Sequence, residues 1–397
     1  MISLSSAIPR PPFDSQEGPV FGVGDMTSHP HPFRSLIRRR EPINLCEKDR
    51  WLFADAATLT LPSRELKTLT DVEVFARGPL RQAGEYLPIS FAAPWQLQEW
   101  KRRRRHWRLA AERLLQRTQP FDSPAMWITD TWSCGYYHWF GDALPRLEAF
   151  LDDLPVNELT LLLPYKFCRA DYFLDSLEPF GLKEVRILRR FESLRCRELI
   201  IPSHVAPTGN FDECVMRSMR HRFVSTCAKP SATDSPSRIY ISRRRAPSRR
   251  VVNEEELSLV LEKHGFVTVT AEKLSWREQI QLLSGAKVLI SSHGAGLTNM
   301  LAMKAGTQVM EIRTERDHEN NCYFNLASAM QLHYYYLLAD RQKPDAVVHA
   351  TNLIVDPEKL DEALSAMLRA VPSSPSVEIT SDVLSSLSPS PNDRRVA

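Results

Sequence analysis

The residues best able to do chemistry gather in three turns and one short helical stretch. The first turn, Ser291-Ser292-His293-Gly294-Ala295-Gly296-Leu297-Thr298-Asn299, joins an apolar run to a helical one. Gly294 and Gly296 permit close backbone approach, and the N–H groups at the start of the following helix carry about half a positive charge, a combination that attracts phosphate. Asn299 stands where a full G-x-G-x-x-G loop has its third glycine. Spacing alone leaves two readings open, a phosphate cradle or a tight turn around a satisfied histidine. The second turn, Ser242 to Arg250, holds Arg243, Arg244, Arg245, Arg249 and Arg250. So many guanidinium groups beside a strand end repel one another unless carboxylates or a bound anion compensate, and the guanidinium fork matches phosphate oxygens. Glu254 and Glu255 are the carboxylates at hand. The third turn begins at Glu311, placed to accept hydrogen bonds from a ribose.

The helical stretch is Tyr136-Tyr137-His138-Trp139-Phe140-Gly141-Asp142-Ala143-Leu144-Pro145-Arg146. His138, Asp142 and Arg146 are spaced i, i+4, i+8 and would share one helix face, although Pro145 removes a backbone donor there. A His–Asp pair facing a cleft can take a proton from a hydroxyl; on a core helix it is a satisfied polar pair.

Other chemistries lack their residues. No D-x-D pair, Walker loop, H-E-x-x-H or four-cysteine pattern occurs. His293-Gly294-Ala295-Gly296 is similar to the oxyanion loop of esterases, but the nearest approach to G-x-S-x-G is Thr131-Trp132-Ser133-Cys134-Gly135, which lacks the first glycine and precedes the loop. With 51 basic and 48 acidic residues the net charge is +3, so no chain-wide field favours nucleic acid. The basic run from Lys101 to Arg105 reads as a solvated helix face, and contact with a membrane surface stays open. Seven cysteines without a C-x-x-C pair, no N-glycosylation acceptor and no apolar run of about 20 residues suggest a cytoplasmic protein.

The elements that must position these residues follow from composition and periodicity. A chain of 397 residues with 43% apolar content predicts roughly two to three domains. Residues 1–42, rich in proline, read as a mobile arm, and residues 371–397, rich in serine and proline, as a disordered tail. Residues 43–228 form a first lobe, with short strands, a charged helix over 96–117, strands near 126–129, 159–163, 185–188 and 199–201, and helices over 143–154 and 216–227. Residues 229–236 read as a linker. Residues 237–370 alternate strand and helix, with capping boxes expected at Asn253/Glu256 and Ser275/Glu278, which predicts a parallel sheet covered on both faces.

With those residues in place, the chain resembles glycosyltransferase family 61. The resemblance rests on Tyr137 to Asp142 with Leu144-Pro145-Arg146, on Ile241-Ser242-Arg243 with Ala246, Arg249-Arg250 and Asn253-Glu254, and on His293 to Asn299 with Glu311-Ile312. It implies an α/β, GT-B-like fold of two Rossmann-like lobes facing a cleft. It further implies metal-independent transfer, with inversion, of a sugar from a nucleotide diphosphate to a saccharide hydroxyl, without a cofactor. By the family's pattern Asp142 is the general base, with His138 its partner or alternate. Arg243, Arg249, Arg250 and the loop of Ser292, His293, Gly294, Ala295, Gly296, Leu297, Thr298 and Asn299 would hold the donor diphosphate, and Glu311 the ribose. A UDP-sugar is the expected donor, surface polysaccharide the expected product, and a saccharide or lipid-linked saccharide the expected acceptor. A catalytically inactive nucleotide-binding or regulatory module is the alternative.

Overall fold

The computed structural model describes residues 27–31, 36–103, 117–227, 236–346 and 350–370. Two sheets organise the chain. The first has nine strands, running Glu184–Ile187, Thr160–Leu163, Ala125–Met126, Glu192–Pro202, Arg64–Phe75, Leu80–Gln82 and Glu85–Tyr86, with Thr27–His31 on the Arg64 strand and Arg117–Phe121 on the Glu192 strand. Its first four strands pair in parallel, whereas Arg64–Phe75 pairs antiparallel with Glu192–Pro202 and with Leu80–Gln82. The sheet is therefore only half Rossmann-like. At its antiparallel edge Leu80–Gln82 and Glu85–Tyr86 form a hairpin through Ala83 and Gly84, which both take positive φ, the backbone a two-residue hairpin needs.

The second sheet is wholly parallel, in the order Val267–Val269, Arg238–Ile241, Val288–Ser292, Gln308–Arg313, His333–Leu338. The chain enters at the second position, steps to one edge, then crosses back, so the order reverses between Arg238–Ile241 and Val288–Ser292. Alternate side chains serve opposite faces. Ile239, Ile241, Leu289 and Val309 pack toward helices Glu213–Cys227, Trp276–Gly285 and Cys322–Ala329. Tyr240, Ile290, Met310 and Ile312 pack toward Glu254–Lys263 and Pro357–Arg369.

One apolar core runs from the helices of the first sheet into those of the second. Phe140 stacks on Trp276 at 6.2 Å, and Phe223 meets the same indole edge-on at 5.1 Å. Arg220 Nε donates to the carbonyls of Ala302 and Met303.

Several expected boundaries move. Within the expected arm, Thr27–His31 pairs with residues 64–68 and Leu36–Arg38 with Thr58–Thr60; residues 1–26 and 32–35 lie outside the described residues. Residues 43–53, expected in the first lobe, lie against the second sheet. Ile43 N donates to Tyr334 O at 2.8 Å, and Phe53 packs on Phe324, Tyr334 and Tyr336. The charged helix is described over Pro94–Arg103; Arg104 and Arg105, most of the linker and the tail beyond 370 lie outside the described residues. Ser275 and Glu278 form their capping box. Asn253 does not cap, because its amide is held by the Val355 backbone, donating to its carbonyl at 2.7 Å and accepting from its N–H at 3.1 Å. Among the described residues no helix is long and apolar enough to cross a membrane.

Candidate active site

The His138–Asp142 pair forms as its spacing predicts. Tyr136–His138 begins as an α-helix, Trp139–Ala143 widens into a π-helical turn, and Leu144–Glu148 resumes the α-helix. Pro145 lacks the N–H that would donate to the Gly141 carbonyl, and such widened turns recur at functional sites. His138 Nδ1 lies 2.6 Å from Asp142 Oδ2, and Thr208 Oγ1 donates to the same oxygen at 2.7 Å. The Asp142 side chain is 5% exposed and that of His138 28%. With Nδ1–H donated to the carboxylate, Nε2 is the ring nitrogen left to accept a proton.

Arg146 does not join this pair. It is fully buried, with Nε donating to Pro202 O and Nη1 to Ile128 O. Burial lowers its pKa to about 10, against the opposing charges of Asp130 and Asp142. Asp130 starts a second His–Asp pair. Its Oδ2 lies 3.0 Å from His204 Nε2, and its Oδ1 accepts from Trp132 N, Ser133 N and Ser133 Oγ. Burial alone would raise the Asp130 carboxyl. The hydrogen bond and charge of His204, the charge of Arg146 and the Trp132 N–H outweigh it and hold the group well below the usual range.

On the second sheet, the turns after Arg238–Ile241 and Val288–Ser292 meet where the strand order reverses, the position at which doubly wound sheets bind ligands. Arg243 lies across Gly294. A Cβ there would stand 2.1 Å from Arg243 Nη1 and 2.3 Å from Cζ, so the guanidinium rests where only glycine leaves room. Arg243 Nη2 donates to Ser248 O at 3.3 Å, while its buried Nε has no hydrogen-bond partner. Burial, the largest effect on this guanidinium, lowers its pKa. A desolvated cation with an unused donor is an anion site in waiting.

The neighbouring residues divide by role. Arg249 takes a positive φ of 56°, its carbonyl accepts from Ser292 Oγ at 3.0 Å, and its Nη1 donates to His293 O at 3.2 Å. Arg244 pairs with Glu254, which also accepts from Tyr240 and Ser242. Arg250 is exposed and its N–H donates to Asn352. Ala295–Ala302 is a tight 3-10 helix starting beyond Gly294, with Ala295 and Gly296 part-exposed and Leu297 in the core. Thr298 is buried. Asn299 turns away from the turn: Nδ2 donates to Gln279 at 2.8 Å and Oδ1 accepts from Tyr136 OH at 2.6 Å, which ties the glycine turn to the helical stretch that carries His138.

Glu311 departs most from expectation. It is fully buried, with Oε1 on His293 Nδ1 and Oε2 accepting from Tyr334 OH; Arg313 Nη1 stands 3.7 Å from Oε2. Burial would raise this carboxyl, but the charges of Arg313 and His293 and the two hydrogen bonds hold it below its usual range. Its complete burial and these partners place Glu311 behind His293, where it orients the imidazole.

Two rings connect the site halves. His138 meets Tyr137 at 5.1 Å, Tyr137 meets Tyr323 at 5.7 Å, and Tyr323 meets His293 at 4.9 Å. Thr208, Asp130, His204 and Tyr323 had no sequence signal, since each lies in a loop or helix with no motif spacing around it.

Residues 136–310 match the family model described as Glycosyltransferase 61. An EGF domain-specific O-linked N-acetylglucosamine transferase of Drosophila melanogaster is 35% identical over 98 residues, 24% of this chain and 18% of that protein. A protein O-linked-mannose beta-1,4-N-acetylglucosaminyltransferase 2 of Takifugu rubripes is 35% identical over 97 residues, 23% of this chain and 16% of that protein. An EGF domain-specific O-linked N-acetylglucosamine transferase of Gallus gallus is 29% identical over 119 residues, 29% of this chain and 22% of that protein. The chain thus spans about a fifth of the length of these curated relatives. The His138–Asp142 pair, the arginine turn and the glycine turn fall inside the matched region, Glu311 and Tyr323 lie beyond it, and residues 136–310 are a glycosyltransferase 61 domain.

Proposed function

We propose that the protein is an inverting, metal-independent glycosyltransferase that moves a sugar from a nucleotide diphosphate to a saccharide hydroxyl. The carrying observation is the half-buried Arg243 guanidinium, lying against Gly294 with its buried Nε unused, at the reversal point of a parallel sheet inside a glycosyltransferase 61 domain. A UDP-sugar is the proposed donor, and the relatives' names favour N-acetylglucosamine as its sugar.

Arg243, Arg249 and the N–H groups from Gly294 onward would neutralise the diphosphate as its bond to the anomeric carbon breaks. On the other face the acceptor oxygen bonds that carbon while its proton passes to a base. The exposures favour His138 Nε2 as that base, with Asp142 and Thr208 holding the imidazole, the reverse of the order expected from sequence. A single displacement of this kind inverts the anomeric centre.

The two sheets would serve as the lobes of a GT-B arrangement, one for the acceptor and one for the donor, with the Tyr136–Asn299 contact closing one side of the cleft. The free state of all seven cysteines supports a reducing, cytoplasmic setting. Surface polysaccharide built on a saccharide or lipid-linked saccharide is the proposed pathway context.

Thermal unfolding with UDP, with and without EDTA, tests the reading. UDP at 100 times its Kd should stabilise the protein by about 2.7 kcal/mol, and the shift should survive EDTA. No shift at saturating UDP, or a shift abolished by EDTA, would remove the metal-independent sugar-nucleotide reading.

A further inference from the structure

We propose that Trp132 is the platform on which the acceptor sugar stacks, a pyranoside lying with an apolar ring face against the indole and a hydroxyl directed at His138. The inference rests on the transferase reading and assigns its acceptor subsite.

Trp132 is part-exposed, and its ring stands 5.1 Å from that of His138, tilted by 38°. The other ring contact of His138 among the described residues, with Tyr137, leads on through Tyr323 to His293 on the donor side. Trp132 therefore occupies the neighbourhood of the base that is not committed to the donor half.

The turn carrying this indole is fixed at three places. Asp130 Oδ1 accepts from Trp132 N at 2.8 Å and from Ser133 N at 3.0 Å. Asp130 Oδ2 is in turn held by His204 at 3.0 Å. Thr131 Oγ1 donates to Gln96 Oε1 at 2.6 Å and accepts from Ala92 N at 3.2 Å. Holding the backbone turn this firmly while the large aromatic stays part-exposed gives a rigid apolar face beside the base, at little entropic cost to a ligand that stacks on it. A pyranose with equatorial hydroxyls offers the complementary surface, axial C–H bonds on its faces and hydroxyls at its rim. The same pinning gives the second His–Asp pair a task, that of positioning Trp132.

Saturation-transfer NMR of methyl β-D-glucopyranoside in the presence of UDP tests this, with sorbitol as an open-chain polyol that has no ring face. The wild type should transfer saturation to the axial ring hydrogens of the glucoside and not to sorbitol. Trp132→Ala should weaken glucoside binding by about tenfold, Trp132→Tyr should restore it to within about threefold, and the UDP-induced Tm shift should be equal in all three proteins. Equal glucoside binding by Trp132→Ala, or none by a wild type that UDP stabilises, would overturn the platform and leave the donor reading standing. A wild type that UDP does not stabilise would overturn both.

Discussion

Gly294→Ala isolates the proposed donor contact without touching a charged residue. The φ of Gly294 is 162°, extended backbone that alanine adopts without strain. The new Cβ would stand 2.1 Å from Arg243 Nη1, and ordinary contact begins at 3.4 Å, so the guanidinium must retreat by about 1.3 Å. Arginine is flexible at that end, so the fold should survive with little loss of Tm. The displaced guanidinium loses its aim at the diphosphate. A charge-assisted hydrogen bond contributes about 1.5–3 kcal/mol, so UDP affinity should fall by about 10- to 150-fold. Arg243→Ala should lose a similar amount, and the double variant should be no weaker than Arg243→Ala alone, since both changes remove one contact. Calorimetric titration of UDP reads all four proteins. An unchanged Kd in Gly294→Ala, or fully additive losses in the double variant, would refute the assignment. Gly296→Ala is the contrast: its Cβ would meet Ile241 Cγ2 at 2.9 Å in a buried strand, and stability should suffer there.

Four further outcomes are expected. Glu311→Gln leaves Arg313 buried without its counter-charge and should cost about 3–5 kcal/mol of stability, read in urea unfolding; a variant that loses UDP affinity at unchanged stability would return Glu311 to the ribose. Asp130 and Glu311 both have depressed pKa values in the fold, so their contributions are complete above the ordinary carboxylate range and are lost as pH falls through it. Tm should therefore drop on acidification below about pH 5, less steeply in Asp130→Asn, and an identical slope in that variant would contradict the His204 pairing. His138→Gln and Asp142→Asn should each lower sugar transfer by about 10²- to 10⁴-fold at unchanged UDP affinity, whereas near wild-type turnover in either would dismiss the pair as the base. Tyr136→Phe and Asn299→Ala should couple by at least about 0.5 kcal/mol in a double-mutant cycle, and strict additivity would deny them a role in tying the glycine turn to the helical stretch of His138.

What could be read from sequence was local. The four-residue spacing of His138 and Asp142 and the Ser275/Glu278 box need only one helix to be realised, and both are. The alternation of strand and helix after residue 237 likewise suffices for a parallel sheet, and the reversal of strand order brings the arginine turn beside the glycine turn. Failures came where a distant segment competed. Asn253 is claimed by Val355, 102 residues on. Glu311 is claimed by Tyr334 and by a buried Arg313. Arg146 leaves the His138 face because it serves the carbonyls of Ile128 and Pro202. Thr208 and His204 lie on the loop after the longest strand pairing, and only the tertiary fold brings them to Asp142 and Asp130.

Crystals grown with UDP would test the central claim most directly. The diphosphate should lie at the turns after Arg238–Ile241 and Val288–Ser292, with a phosphate oxygen about 3 Å from Arg243 Nε and others facing the N–H groups from Gly294 onward. UDP bound elsewhere, or bound there with Arg243 turned away, would contradict it.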